Sequence, residues 1–175
     1  PPDAVARAAS LVGDCAVRII AGAGSRSETT WRLISEASAP WLVLHDVVHP
    51  FATPELVKQL LESARQGGAA APGLRNTEFI YDRSGEPLHA PGDVLVGQKP
   101  VVFSRSAVLA GYAALPPEGA GSDPSLMQIL ERGGVRTAFT EGSAVNIKIT
   151  APEDLRLARA LLAVGDDDAQ AGVGR

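Results

Sequence analysis

Short β-branched or aromatic runs alternate with stretches whose apolar residues recur at helical spacing, and this alternation continues along most of the chain. Val5, Ala8, Ala9 and Val12 predict a first helix. Ala16 to Ile20 predicts a strand that enters the small-residue turn Ala21-Gly22-Ala23-Gly24-Ser25. Trp31, Leu33 and Ile34 predict a helix ending before Pro40, and Trp41 to Leu44 a buried strand running straight into His45-Asp46. Thr53-Pro54-Glu55 opens the next helix, with a hydroxyl cap, proline at the first helical position and an acid at the positive helix end. That helix stops at Gly67-Gly68, and Ala69 to Ala71 predicts a small-residue strand.

The middle of the chain reads differently. Phe79 to Tyr81, the turn Asp82-Arg83-Ser84-Gly85 and Pro87 to His89 predict a projecting hairpin, an arm spanning about residues 76–97. So small a polar hairpin is marginal alone and needs a packing partner, such as a second subunit. Val94 to Val96 and Val101 to Phe103 bracket Gln98-Lys99-Pro100, and a helix follows from Arg105 to Leu115. Asp123-Pro124 reads as an Asp cap opening another helix, Val135 to Thr140 as a strand, and Asn146 to Ile149 as a short strand. Thr150-Ala151-Pro152-Glu153 is a capping box before the helix of Leu155, Ala158, Leu161 and Leu162. Strands alternating with helices predict an α/β fold of the Rossmann-like, doubly wound type with a mostly parallel sheet.

Length and composition narrow the picture. At 175 residues the chain suits one domain, taken here as residues 1–164, with a flexible tail at 165–175. Sixteen basic residues are scattered among twenty acidic ones, which excludes a general nucleic-acid surface but leaves room for a local phosphate pocket. The lone Cys15 permits no intrachain disulfide and no cysteine metal cluster, so a cytoplasmic location is expected. No apolar run approaches the roughly 18 residues of a membrane span, and the opening residues do not read as a signal peptide.

Open α/β sheets bind ligands at the carboxyl ends of their strands, and three places there carry candidate chemistry. Small residues in Gly22-Ala23-Gly24-Ser25-Arg26 allow close backbone approach, and free amides near a helix start favour an anion. The same glycines also suit a plain tight turn. Asp46, directly after an apolar strand, can hold Mg²⁺ or a sugar hydroxyl; it equally suits an Asx turn bonding its own backbone. His45 and His49 flank it without the third ligand a zinc site needs. In Ile147-Lys148-Ile149 the alternation sets the lysine on the opposite face from both isoleucines, either solvated or facing a phosphate in a cleft.

Ala21-Gly22-Ala23-Gly24-Ser25-Arg26-Ser27-Glu28-Thr29, His45-Asp46-Val47-Val48-His49-Pro50 and Asn146-Ile147-Lys148-Ile149-Thr150-Ala151-Pro152-Glu153-Asp154-Leu155 occur in an order and spacing that resemble the 2-C-methyl-D-erythritol 4-phosphate cytidylyltransferases and related polyol-phosphate cytidylyltransferases. The resemblance covers Pro1 to about Ala163, and the last motif is the most specific. It implies a fold of the nucleotide-diphospho-sugar transferase type, with transfer of CMP from CTP to a polyol phosphate, release of pyrophosphate, Mg²⁺ as cofactor and a homodimer joined through the arm. By the resemblance, Gly22, Ala23, Arg26 and Thr29 belong to the nucleotide pocket, and Asp46 and Val47 meet the ribose and acceptor. Asp46 is the metal ligand, Lys148 the catalytic residue at the α-phosphate, and His49, Thr77 and Lys99 the acceptor side.

Some positions depart from the family pattern. His49 stands where the family has Arg and Lys99 where it has Thr, which exchanges a bidentate fork for a point charge elsewhere. Asn76-Thr77 only loosely matches the family's Asp-Thr, and the arginine expected near Pro91 is missing. The family's Gly-rich loop, with its catalytic Arg and Lys, has no counterpart here, so the expectation is that an N-terminal segment precedes Pro1. The alternative to an enzyme is an inactive paralogue serving as a nucleotide-binding or dimeric scaffold.

Overall fold

The structure, a computed structural model, describes residues 2–13, 15–116 and 123–172, with side-chain surroundings for those between 4 and 164. Its helices are α1 (Pro2–Val12), α2 (Arg26–Glu36), α3 (Pro54–Gly67), α4 (Arg105–Ala113), α5 (Leu126–Arg132) and α6 (Pro152–Gly172). Its strands are β1 (Trp41–Leu44), β2 (Ala69–Arg75), β3 (Ile80–Tyr81), β4 (Pro87–His89), β5 (Leu95–Gly97), β6 (Val101–Ser104) and β7 (Ala138–Glu141). They gather into two compact units: Pro1–Leu42 with Ser104–Arg136, and Val43–Phe103 with Thr137–Arg175.

In the second unit α3 begins and ends as its sequence dictates. Thr53 Oγ1 accepts from Leu56 N at 3.2 Å, and Gly68 closes the helix at φ 91°, a left-handed conformation that glycine adopts without a Cβ clash. The helix packs on β2, and Leu60, Ala64 and Ala69 to Ala71 are fully buried there. With Val101, Val102 and Phe103 they form the core, each larger side chain contributing about 1.5–3 kcal/mol by leaving water.

Around β2 the sheet is mixed. β7 runs parallel to it, from Ala70↔Ala138 to Gly73↔Glu141, whereas β5 and β6 return antiparallel. Gly73 faces Gly97 and Ala70 faces Val102, so three steps along β2 match five along the opposing segment. The two extra residues fall in Gln98-Lys99-Pro100, which bulges out of the ladder; such bulges re-aim side chains at a sheet's rim. β3 and β4 form the expected hairpin, its turn knotted by Asp82 Oδ1, which accepts from Ser84 N, Ser84 Oγ and Glu86 N at 2.7–2.9 Å.

Three expectations are corrected. Neither Ala16–Ile20 nor Asn146–Ile149 forms a ladder strand; the second meets the turn after β1 through Ile149 N, which donates to Val48 O at 2.8 Å, and its burial still alternates about Lys148. At α6 the returning acid is Asp154 rather than Glu153: its Oδ2 accepts from Thr150 N, Thr150 Oγ1 and Ala151 N, while Glu153 pairs with Arg156. Position 154 is the third helical residue, the one whose side chain folds back over the first turn. α6 runs on to Gly172, through most of the stretch expected as a tail, and residues 173–175 lie outside those described.

In the first unit α4 and α5 cross closely. A Cβ on Gly111 would run into the Ile129 carbonyl, and one on Gly133 into that of Ala107. α5 is capped by Ser125, whose Oγ takes Gln128 N while Gln128 Oε1 takes Ser125 N, so Asp123 is not its cap. Ile34, Ala107, Val108, Ile129 and Leu130 are buried. Gly111→Ala is expected to cost about 1–3 kcal/mol through overpacking, read as a lower urea midpoint at unchanged m-value.

Candidate functional site

In the second unit, the turn after β1 carries Asp46 at its start and His49 at its end, closed by His49 N donating to Asp46 O at 2.9 Å. Val47 stands at the top, 90% exposed. The bulge brings Lys99 to this turn, with its Nζ 4.0 Å from Asp46 Oδ2 and its side chain largely covered. The bond from Ile149 to Val48 brings the Lys148 segment alongside. Asp46, His49, Lys99 and Lys148, with His45 beside them, thus form one electrostatic neighbourhood.

His49 reports on that neighbourhood. It is 5% exposed and its Nδ1 has no hydrogen-bond partner. Burial holds its pKa below the ordinary value; Asp46 pulls the other way, and Lys148, His45 and Lys99 add to the depression. The imidazole is neutral at pH 7, so the positive charge of the pocket comes from the two lysines. The Lys148 side chain itself is exposed.

Two polar side chains that sequence reasoning gave no role hold the cluster in place. Gln98, 7% exposed, donates through Nε2 to Ser143 O at 2.8 Å and Asn146 O at 3.0 Å, and accepts from Ser143 N at 3.0 Å. Asn146, 2% exposed, donates to Lys99 O at 2.8 Å. Together they clamp the approach to Lys148 against the bulge carrying Lys99. A polar residue beside each lysine is a weak signal, since nothing local says the two segments meet.

Thr77 follows the end of β2 at Arg75, whereas Lys99 lies past the opposite end of the β2–β5 ladder, beyond Gly97.

The first unit holds the other expected residues. Gly22 and Ala23 precede α2, and Thr29 Oγ1 accepts from Ala23 N and donates to Ser25 O, both at 2.9 Å. The amides expected to be free are taken. Gly24 N donates to Glu28 Oε2 at 3.1 Å, Glu28 N to Ser25 Oγ at 3.1 Å, and Arg26 N and Ser27 N to the Asp123 carboxylate at 3.1 and 2.8 Å. The Arg26 side chain is exposed, with Nε 3.7 Å from Asp123. Sequence reasoning missed Asp123 because its partners lie far away in the chain.

Residues 1–164 match the family model described as IspD: 2-C-methyl-D-erythritol 4-phosphate cytidylyltransferase. The chain is 35% identical over 148 residues to a 2-C-methyl-D-erythritol 4-phosphate cytidylyltransferase of Thermus thermophilus, covering 82% of this chain and 68% of that protein. It is 33% identical over 143 residues to the bifunctional enzyme IspD/IspF of Nitrobacter winogradskyi, covering 79% of this chain but 36% of that protein. The crystal structure of a Thermus thermophilus 2-C-methyl-D-erythritol 4-phosphate cytidylyltransferase superposes with a TM-score of 0.73 at 30% identity, over 81% of this chain and 71% of that one. The chain therefore spans about a third of the bifunctional relative and two thirds of the single-function one.

His49 also yields a pH dependence. Its folded-state pKa lies below 6.5, so acid protonates the unfolded chain first. Its contribution to stability is complete above pH 6.5 and is lost as pH falls through the lowered folded value. Thermal melts from about pH 7.5 to 5 are expected to decline less steeply in His49→Gln than in the parent; equal slopes would remove His49 as the source.

Proposed function

Because the chain belongs to the 2-C-methyl-D-erythritol 4-phosphate cytidylyltransferase family, we propose that it transfers CMP from CTP to methylerythritol phosphate or a closely related polyol phosphate. An oxygen of the acceptor phosphate attacks the α-phosphorus, the bond to the bridging oxygen breaks, and pyrophosphate leaves. The observation that carries the proposal is that Lys99 pairs with Asp46 while Asp46, Lys99 and Lys148 all act on the one buried His49. Transfer of this kind is mainly positioning and charge neutralisation. Lys148, exposed, neutralises the α-phosphate, and Lys99 holds the acceptor phosphate from the bulge.

Magnesium is part of the same proposal. Among the described residues no group of three or more His, Cys, Asp or Glu side chains forms a protein-built metal cage. Mg²⁺ needs only one or two carboxylates when substrate phosphates complete its shell, and Asp46 fits that requirement. When bound, the ion would supply further neutralisation of the triphosphate, and Asp46, which already balances Lys99, would hold it.

Gly22, Ala23, Arg26 and Thr29 remain the proposed nucleotide side. Thr77 remains the proposed acceptor contact at the base of the hairpin arm, and the arm is the proposed joint of a homodimer. No helix among the described residues is long and apolar enough to cross a membrane, and a cytoplasmic site of action completes the proposal.

Lys148→Ala is expected to lower kcat by about 10²–10³, the usual loss for one electrostatic partner of the transition state, with an unchanged circular dichroism spectrum. Lys99→Ala is expected to raise the acceptor KM about 10- to 100-fold, as for loss of a charged hydrogen bond, and to leave the CTP KM alone. Pyrophosphate release from CTP, measured over a panel of polyol phosphates, checks both; turnover unaltered in Lys148→Ala would refute its role.

A further inference from the structure

We infer that Asp123 is a positioning residue for the nucleoside side of the site: its carboxylate locks the start of α2 and closes that helix end to phosphate. The inference rests on the nucleotide-binding reading of Gly22–Thr29 proposed above. A helix start ordinarily attracts anions, because its first amides lack internal partners and carry the positive end of the dipole. Here each of the first three amides already has an acceptor. Arg26 N and Ser27 N donate to Asp123, and Glu28 N donates to Ser25 Oγ. The preceding turn is closed in the same way, Ala23 N by Thr29 Oγ1 and Gly24 N by Glu28 Oε2.

Two of these acceptors, Asp123 and Glu28, are carboxylates. A phosphate arriving at the turn would have to displace both and meet their charge. The turn is thus suited to the uncharged end of a nucleotide and refuses its anionic end. Asp123 also fixes the turn's shape. Its two bonds join residues 96 and 97 positions apart in the chain, and they start the helix turn on which Thr29 sits. Thr29 in turn holds Ala23. Loss of the carboxylate would loosen this relay without touching the reacting atoms.

The test compares parent, Asp123→Ala and Asp123→Asn in steady-state CMP transfer, with CTP and acceptor varied separately. The alanine variant is expected to raise the CTP KM about tenfold, as expected for losing charge-assisted bonds that act only on binding, while kcat and the acceptor KM stay within about twofold. The asparagine variant retains one acceptor oxygen and is expected to fall between, and it carries the test should alanine not fold. Hydrogen exchange at the Arg26 and Ser27 amides is expected to accelerate in step. A parent that turns over CTP alongside an alanine variant with unchanged CTP KM would overturn the inference alone, as would equal damage to kcat and both KM values. A parent inert toward CTP with every polyol phosphate would overturn the functional reading beneath it.

Discussion

The bonds made by the Gln98 carboxamide join two stretches of chain that share no regular secondary structure. One stretch is the bulge between β5 and β6; the other is the irregular run before α6. Each brings one lysine. A buried carboxamide with a bond at both its oxygen and its nitrogen leaves little freedom, because breaking any one of them strands a polar group away from water. Asn146 adds one bond from the other side, its Nδ2 donating to the carbonyl of Lys99 itself. The two segments that carry the lysines are therefore tied by neutral amide chemistry rather than by a regular sheet.

That framework also explains the pocket's charge. Lys99 and Lys148 would repel each other if brought together unbalanced, and the neighbourhood answers in two ways. Asp46 supplies a counter-charge at salt-bridge distance, and His49, squeezed between burial and the lysines, gives up its proton. A third permanent cation at position 49 would sit in a buried place with little water to screen it. A neutral ring there keeps down the positive charge beside the two lysines.

Much of the architecture could be read from the chain. The caps of α3 at Thr53 and Gly68, the hairpin turned at Asp82, and the order of helices and strands follow from local spacing and turn chemistry. Ala16–Ile20 and Asn146–Ile149 misled because β-branched residues report only a preference for extended backbone; whether a ladder forms depends on a neighbour that composition cannot reveal. Asp123 misled for a related reason. Asp-Pro before an apolar run is a sound cap signal, but Ser125 stands two residues on with Gln128 three beyond it, a better box, which freed Asp123 for another helix. Among the site residues, Asp46 and Lys148 were legible as polar groups following apolar ones, whereas the role of Gln98 depends wholly on what folds against it.

The two-residue mismatch between β2 and its returning neighbour has a consequence for how this segment tolerates change in length. Side chains along a strand alternate in facing, so removing a single residue from Gln98–Pro100 would exchange the faces of Val101, Val102 and Phe103, all of them buried, and would spoil the packing on both sides. Adding a pair would preserve the facing, whereas removing one would preserve it but take away Gln98 or Lys99. Length variation here should be quantised in twos, with the core acting as a parity check on insertions and deletions beside the pocket.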